Sequence, residues 1–245
     1  MHPGSIPGEA SNKFWLGGGG SNQMNASASS EIYADRRRRM IDSQLRPSGV
    51  NDLAVLAAFA EIPREVFVEP SFASLAYVDS DAPALKGGGR MLLAPATLGR
   101  LIEGAAPRAG ERVLDVAGGS GYGASVLARL GAQVVALETA ECGQGAKTLL
   151  AGLDGIETVA GDLAAGAPAK APFDIVLVNG AFEVWPERLI GQLAEGGRLV
   201  GLDASFPAPK AVLIEKAGGA TSRRTLFDAA GPRLEGFRQP PKFAF

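Results

Sequence analysis

The sequence predicts an α/β fold in which helices cover both faces of a central parallel sheet. Helical and β-rich segments alternate along the chain beyond residue 96, which is the pattern of β-α-β units. The runs 134–137 and 175–178 are entirely apolar, as is typical of strands buried on both faces. A glycine-rich segment, residues 118–121, joins one strand directly to the next helix, which indicates a Rossmann-like nucleotide-binding fold.

The individual elements follow from their apolar spacing and from the Gly and Pro residues that bound them. Helices are expected at 97–105, 121–130, 143–151 and 186–194. Strands are expected at 112–117, 133–138, 156–160, 173–179 and 197–203, with two later β segments near 210–216 and 222–228. Residues 97–245 are therefore interpreted as one nucleotide-binding domain.

An N-terminal helical and loop region, residues 24–96, is expected to pack on that domain. One helix is predicted from Ser30 to a stop at Pro47, and a second over 52–61. The core-facing residues of the second helix are expected to be Leu53, Leu56, Ala57 and Ala60. The four arginines at 36–39 are interpreted as a solvated helix end, with some of them lying over apolar or acidic neighbours, and not as a nucleic-acid contact.

Residues 1–23 are interpreted separately from the fold. They end in the glycine run 17–20 followed by Ser21, a flexible linker composition, and Met24 then serves as a natural start. An engineered tag is the favoured interpretation. The alternative is a short peptide ending in residues 14–16, Phe-Trp-Leu, tethered so that it reaches a groove at high effective concentration.

Composition excludes several classes of function. The chain has 245 residues, 46% of them hydrophobic, and a net charge of −2, so no global basic field attracts nucleic acid or an anionic membrane. Cys142 is the only cysteine and His2 the only histidine, which excludes an intramolecular disulfide, a cysteine-rich zinc site and a His-based triad, and no metal is expected. The absence of a long apolar run or a signal-peptide pattern predicts a soluble, cytoplasmic protein.

Acidic residues around the glycine-rich segment narrow the choice of nucleotide, since the segment alone also fits a loose dinucleotide pattern. Glu138 ends the next strand, 19 positions after Gly119, where a carboxylate can accept both hydroxyls of an adenosine ribose. Asp115 before the glycines and Asp162 after the third strand favour S-adenosylmethionine, because an acid just upstream would repel a pyrophosphate. A nicotinamide dehydrogenase is a distant alternative, and Asp115 as a solvated strand-end acid is another.

With these residues, the chain resembles the protein-L-isoaspartate O-methyltransferase family over nearly all of residues 38–202. The matching segments include 40–47, 62–68, 76–79, 113–122, 131–138, 161–162, 171–174 and 192–200. The resemblance implies a class I S-adenosylmethionine-dependent methyltransferase fold with an N-terminal helical extension, and methylation of isoaspartyl carboxylates in protein repair. The cofactor-binding residues that it implies are Asp115, Ala117, Gly119, Gly121, Glu138 and Asp162.

Two regions depart from the family's pattern. Ala117 stands where the family has its first loop glycine, and we expect the loop to tolerate it if its φ stays negative. The family segment Gly-Gln-Thr-Ile-Ser-Gln-Pro corresponds to residues 89–95, so Leu93 replaces a serine beside the reacting carboxylate, and leucine cannot hydrogen-bond that group. Leu93 and Asn179 are the acceptor-side candidates. Asn179 alternatively just ends the fourth strand in a turn.

Two functional hypotheses follow from this sequence. The first is a methyltransferase acting on a carboxylate in a protein or peptide, which needs no histidine because the nucleophile is already ionised at neutral pH. The second is a non-catalytic binding module that keeps the fold and uses the altered residues 91–95 to hold a partner. The expected partner is a protein or peptide in either case, with no nucleic acid and no membrane.

Overall fold

The computed structural model describes residues 23–239. The interpretation of residues 1–23 as a tag or tethered peptide therefore concerns a segment that, apart from Gln23, lies outside the described residues. Among the helices between residues 23 and 239, none combines the length and the apolar character needed to cross a bilayer.

The helices lie where they were predicted, but the expected end of the last one at residue 194 is wrong, because that helix ends at Gly191 and the strand expected from residue 197 already begins at Leu193. The helices are α1 Gln23–Met40, α2 Leu53–Glu61, α3 Pro95–Ala105, α4 Tyr122–Arg129, α5 Gln144–Leu149 and α6 Glu187–Gly191. A π-helical turn, Ile41–Leu45, continues α1 and ends before Pro47, as the proline predicts. The expected start of α1 at Ser30 is wrong, because no Gly or Pro interrupts residues 23–29 and the helix extends back to Gln23.

The strands form one large sheet and one small antiparallel pair, the latter made of β1 Ala82–Pro83 and β2 Met91–Leu92. The large sheet contains β3 Arg112–Val116, β4 Gln133–Glu138, β5 Ile156–Ala160, β6 Phe173–Phe182, β7 Leu193–Asp203, β8 Lys210–Ala217 and β9 Ala220–Asp228, in the order β5-β4-β3-β6-β7-β8-β9. The five strands β3 to β7 are parallel, as predicted. The pairing of β8 and β9 is antiparallel, since their two-residue connection is too short for a crossover.

The central strands β3, β4 and β6 are buried on both faces, and their successive residues point to opposite sides of the sheet. Val113 belongs to the hydrophobic cluster that the N-terminal region and α3 build on one face, whereas Leu114 and Val116 belong to the cluster on the other. The same alternation holds in β4, where Val134 and Val135 lie in different clusters. The prediction that 134–137 is a central strand is therefore confirmed.

The buried face of α2 differs from the expected one. Its buried residues are Val55, Leu56, Ala58 and Phe59. Leu53 is 73% exposed, and Ala57 and Ala60 are exposed as well, so their assignment to the core is wrong. Almost every residue of this helix is apolar, so the spacing of apolar residues does not define which face is buried. Packing against the rest of the protein determines the buried face, and Phe59 lies edge-on to the ring of Tyr122 with 5.9 Å between the ring centroids.

The arginines at 36–39 divide as predicted between bound and solvated side chains. Arg37 donates to the Tyr77 hydroxyl at 2.8 Å and lies 3.3 Å from the Glu65 carboxylate. Arg38 and Arg39 are largely exposed and pair with Asp35 on the same helix. This helix end is a docking point for the neighbouring loop rather than a basic surface.

Candidate active site

The glycine-rich segment forms a tight turn between β3 and α4 at the carboxyl end of the sheet. Gly119 and Gly121 have φ angles of 61° and 94°, which glycine adopts without strain. Ala117 has a φ of 60°, so the expectation of a negative angle is wrong. Its N–H donates to the Leu137 carbonyl at 2.9 Å and its methyl is fully buried, and these contacts hold the alanine in the left-handed region.

Two glycines of this turn are packed too closely for any side chain. A Cβ on Gly118 would overlap Oδ2 of Asp115, which lies beneath the turn. A Cβ on Gly119 would lie 2.8 Å from Ala84 Cβ and 3.1 Å from Arg90 Cγ, which approach from above. The turn is therefore enclosed between β3 below it and residues 84–92 above it.

Asp115 and Asn179 come together beneath the turn. Nδ2 of Asn179 donates to Asp115 Oδ1 at 2.7 Å and to the Val116 carbonyl at 3.0 Å. Asp115 Oδ2 is buried and has no hydrogen-bond partner among the described residues. Burial raises the pKa of Asp115 to about 7, against the opposing effect of the Asn179 hydrogen bond. Asn179 lies within β6 and does not end it, so the alternative that it terminates the strand in a turn is wrong.

Glu138 ends β4 as predicted, and its carboxylate accepts hydrogen bonds from both sides. The backbone N–H groups of Gly119 and Thr139 donate to it at 3.0 and 2.9 Å. Arg90 forms a bidentate ion pair with it, at 3.0 Å from Nε and 2.9 Å from Nη2. The sequence did not reveal this partner, because Arg90 lies 48 positions away and only its place after the glycines 87–89 marked it as unusual.

Asp162 follows β5 at the same carboxyl edge of the sheet. It is exposed, and its Oδ1 accepts the backbone N–H of Ala164 at 2.9 Å. Between the ends of β4 and β5 and helix α5 lies a cavity of about 290 Å³. Its lining includes Glu138, Thr139, Gly143, Lys147 and Ala160. The cavity thus reaches the predicted ribose acid, while Asp115 and Asp162 lie outside its lining.

Leu93 is a core residue rather than part of an open wall. Its side chain is 1% exposed and points at Gly231, where an added Cβ would lie 3.2 Å from Leu93 Cδ2. Its carbonyl accepts from Nη2 of Arg64 at 2.9 Å. Arg64 is fully buried, donates also to the Ala76 carbonyl at 2.8 Å, and lies 4.9 Å above the ring of Tyr122.

Two carboxylates hold the backbone that follows Leu93. Asp81 accepts from the Ala94 N–H at 2.8 Å, and Asp79 accepts from the Ala96 N–H at 3.0 Å. With Arg64 on the Leu93 carbonyl, three polar side chains of the N-terminal region fix residues 93–96. Sequence reasoning missed this framework, because the sequence shows only that Arg64 follows Pro63 and gives no sign that the arginine is buried.

A C-terminal segment, residues 231–239, runs along the carboxyl edge beside Asn179; we call it the edge segment. The Ala181 N–H donates to the Pro232 carbonyl at 2.8 Å, and the Leu234 N–H donates to the Ala181 carbonyl at 3.0 Å. A Cβ on Gly180 would lie 2.7 Å from Leu234, so the two chains touch directly. The edge segment also reaches the residues that follow β5, since a Cβ on Gly236 would lie 3.2 Å from Ala164 Cβ and 3.6 Å from Asp162 Oδ1.

Several known proteins are similar to this chain. Protein-L-isoaspartate O-methyltransferase of Methylorubrum populi is 43% identical over 166 residues, which is 67% of this chain and 77% of that protein. Its counterpart in Methanoregula boonei is 36% identical over 211 residues, 85% and 93% of the two chains. A solved protein-L-isoaspartate O-methyltransferase has a TM-score of 0.72 and 26% identity, covering 82% of this chain and 66% of the longer one.

A structure from Plasmodium falciparum, solved in complex with S-adenosyl-L-homocysteine, has a TM-score of 0.68 and covers 83% of this chain and 98% of the other. At 20% identity it supports the fold alone. Together with the glycine turn after β3 and the acid that ends β4, the fold defines a Rossmann-like class I methyltransferase. The profile of the family Protein-L-isoaspartate(D-aspartate) O-methyltransferase matches residues 35–206. The chain belongs to this family of S-adenosylmethionine-dependent O-methyltransferases.

Proposed function

We propose that this protein transfers a methyl group from S-adenosylmethionine to the side-chain carboxylate of isoaspartyl residues in proteins or peptides. The observation that carries the proposal is the glycine turn flanked by Glu138 and Asp115, in a member of this family. Glu138 places two buried carboxylate oxygens beside the Gly119 N–H, and Asp115 Oδ2 has no hydrogen-bond donor among residues 23–239. These features fit an adenosine with a cationic amino-acid tail.

Each residue receives a role in binding. We assign Glu138 to the ribose hydroxyls, Asp162 to the adenine amine, and the backbone of Ala117, Gly119 and Gly121 to close contact with the cofactor. Asp115, oriented by Asn179, places a buried carboxyl group beneath the turn, on the side that we assign to the methionine amino group, whose positive charge favours the ionised form of the carboxyl. Leu93 acts indirectly, by packing the segment that borders the acceptor side.

The chemistry needs alignment rather than acid or base catalysis. The cofactor, when bound, supplies a methyl group on a positively charged sulfur. An isoaspartyl carboxylate is ionised at neutral pH, so an oxygen–carbon bond forms as the carbon–sulfur bond breaks, and no proton moves. The products are a methyl ester and S-adenosylhomocysteine. The chain's part is to hold the two reactants in line and to exclude water, for which the edge segment and residues 84–92 provide the walls.

The test uses the full chain with methyl-labelled S-adenosylmethionine and two peptides of one sequence, one with isoaspartate and one with ordinary aspartate. We expect label in the isoaspartyl peptide only, and a loss of at least tenfold in rate with Glu138→Gln, because a carboxamide presents one acceptor oxygen instead of two. Binding of the cofactor without transfer to either peptide would support the non-catalytic module, which the family matches do not favour.

We infer further that the protein acts in the cytoplasm and not on nucleic acid. Its net charge of −2 and its single free, buried thiol at Cys142 support both points. The measurement is fractionation of the host cell with an antibody against this chain. Recovery with the membrane or the periplasmic fraction would contradict the inference.

A further inference from the structure

The ion pair between Arg90 and Glu138 lies on the acid that the proposed function assigns to the cofactor. The Arg90 and Glu138 side chains are only 8% and 5% exposed, and their contact is bidentate. Bidentate contacts between arginine and carboxylate, shielded from water, are among the stronger polar interactions in proteins. Arg90 therefore binds the Glu138 carboxylate tightly.

The carboxylate of Glu138 already accepts as many hydrogen bonds as its two oxygens can form. Oε2 accepts from Gly119 N–H and Arg90 Nε, and Oε1 accepts from Thr139 N–H and Arg90 Nη2. A carboxylate offers about four lone-pair sites, and all four are used. The two backbone donors belong to the ends of β3 and β4 and are fixed, so a ribose diol can gain both oxygens only in place of Arg90.

The loop that carries Arg90 is small and lies open to solvent on its outer side. Ala84 and Arg90 close it through the Ala84 N–H to Arg90 carbonyl bond at 2.9 Å. Gly88 and Gly89 at its tip are exposed and have φ angles of 53° and 91°. Leu85 and Lys86 are held by hydrogen bonds of 2.8 Å to the Phe67 carbonyl and the Glu69 carboxylate, but residues 84–90 are not part of the large sheet, so the Arg90 side chain can leave Glu138 without moving a strand. Glu235 of the edge segment also acts electrostatically on Arg90.

We propose that Arg90 is a gate that competes with the cofactor's ribose for Glu138, so that nucleoside binding expels the guanidinium and opens residues 84–90. This inference depends on the proposed function, because it assumes that Glu138 binds the ribose. The gate lowers the apparent affinity of the protein for its cofactor by the stability of the closed state.

Calorimetric titration with S-adenosylhomocysteine tests the gate on the full chain. We expect Arg90→Gln to bind at least tenfold more tightly than the unmodified protein, because the closed state no longer competes. The matched control is Arg129→Gln, which removes a bidentate arginine–glutamate pair of the surface with Glu61 and should leave the dissociation constant unchanged. Equal or weaker binding by Arg90→Gln would refute the gate while leaving the proposed function intact.

Amide hydrogen exchange of the unmodified protein supplies a second readout that needs no variant. Ligands usually slow exchange where they bind; here S-adenosylhomocysteine should accelerate exchange at residues 84–90 while slowing it at 117–121. Slower exchange in both segments would overturn the proposal, because Arg90 would then stay closed over the bound nucleoside. If neither the unmodified protein nor Arg90→Gln binds the ligand, the proposed function itself fails.

Discussion

Asn179 donates a hydrogen bond of 2.7 Å to the carboxylate of Asp115, and this contact joins β3 to β6 directly beneath the glycine turn. Both side chains are buried, and the second Asp115 oxygen accepts no hydrogen bond from the part of the chain that the structure describes. The pair therefore holds a carboxyl group whose protonation is set mainly by burial, at a pKa of about 7.

The first prediction concerns how Asp115 makes stability depend on pH. Its pKa is raised in the folded protein from an ordinary 3.8 to about 7, so its contribution to stability is full below pH 3.8 and is lost as pH rises through 7. Asp115→Asn removes this contribution. We expect the free energy of unfolding of the variant, relative to the unmodified protein, to rise by on the order of 2 kcal/mol between pH 5 and pH 8.

Urea denaturation of both proteins at the two pH values measures this difference. The absolute effect of the substitution is not decisive, since the new amide leaves a buried donor without a partner. A difference between the two proteins that stays constant from pH 5 to pH 8 would show that Asp115 is already ionised throughout.

The second prediction concerns Gly118, where a Cβ would overlap the carboxylate of Asp115. Gly118→Ala should lower the free energy of unfolding by about 2 kcal/mol or more and weaken S-adenosylhomocysteine binding, because the turn must shift. Gly191→Ala is the matched control. Nothing lies within 4 Å of a Cβ at Gly191 in α6, so that variant should unfold at the same free energy or up to about 1 kcal/mol higher. Thermal unfolding and calorimetry give both quantities.

The third prediction concerns Ala117, which is held at a φ of 60°. Ala117→Gly relieves about 1–2 kcal/mol of left-handed strain and loses part of that gain to the greater freedom of the unfolded chain. The variant also loses a fully buried methyl, at about 0.8 kcal/mol, so we expect its stability to stay within about 0.5 kcal/mol of the unmodified protein, whereas Ala57→Gly on the exposed face of α2 should destabilise by about 1 kcal/mol. If chemical denaturation shows both variants to be destabilised alike, the strain is absent.

The fourth prediction concerns Leu93, the position of the family's serine. Because its side chain is buried against Gly231, Leu93→Ser should cost about 2–5 kcal/mol in the free energy of unfolding. It should also leave the rate toward isoaspartyl peptides no higher. Leu53→Ser, at a position 73% exposed, is the control and should change stability by less than about 0.5 kcal/mol. A faster Leu93→Ser enzyme would show that the hydroxyl reaches the acceptor.

The sequence predicted those features that depend on neighbours along the chain. The bounds of β4 and β5 were predicted to the residue, because an apolar run ended by a charge defines β4 and a glycine stands at each end of β5. Glu138 and the glycine turn were likewise placed by their distance from a strand end.

What sequence reasoning missed depends on contacts between distant segments. Packing against α4 determines which face of α2 is buried. The hydrogen bond from the Ala117 N–H to the Leu137 carbonyl, on the neighbouring strand, holds Ala117 at its positive φ. The partner of Glu138 comes from a loop 48 positions earlier. No periodicity carries such information, because the register between a loop and a sheet edge is set by tertiary packing alone.

The position of the edge segment at the end of the described chain separates two parts of the candidate site. Residues 231–239 are synthesised after every strand of the sheet, yet they border Asn179 through Ala181 and cover Leu93 through Gly231. A chain that ended before residue 231 would keep every strand of the sheet, the glycine turn and Glu138, but it would lack the contacts at Ala181 and Leu93. Such a truncated chain would separate nucleoside binding from methyl transfer.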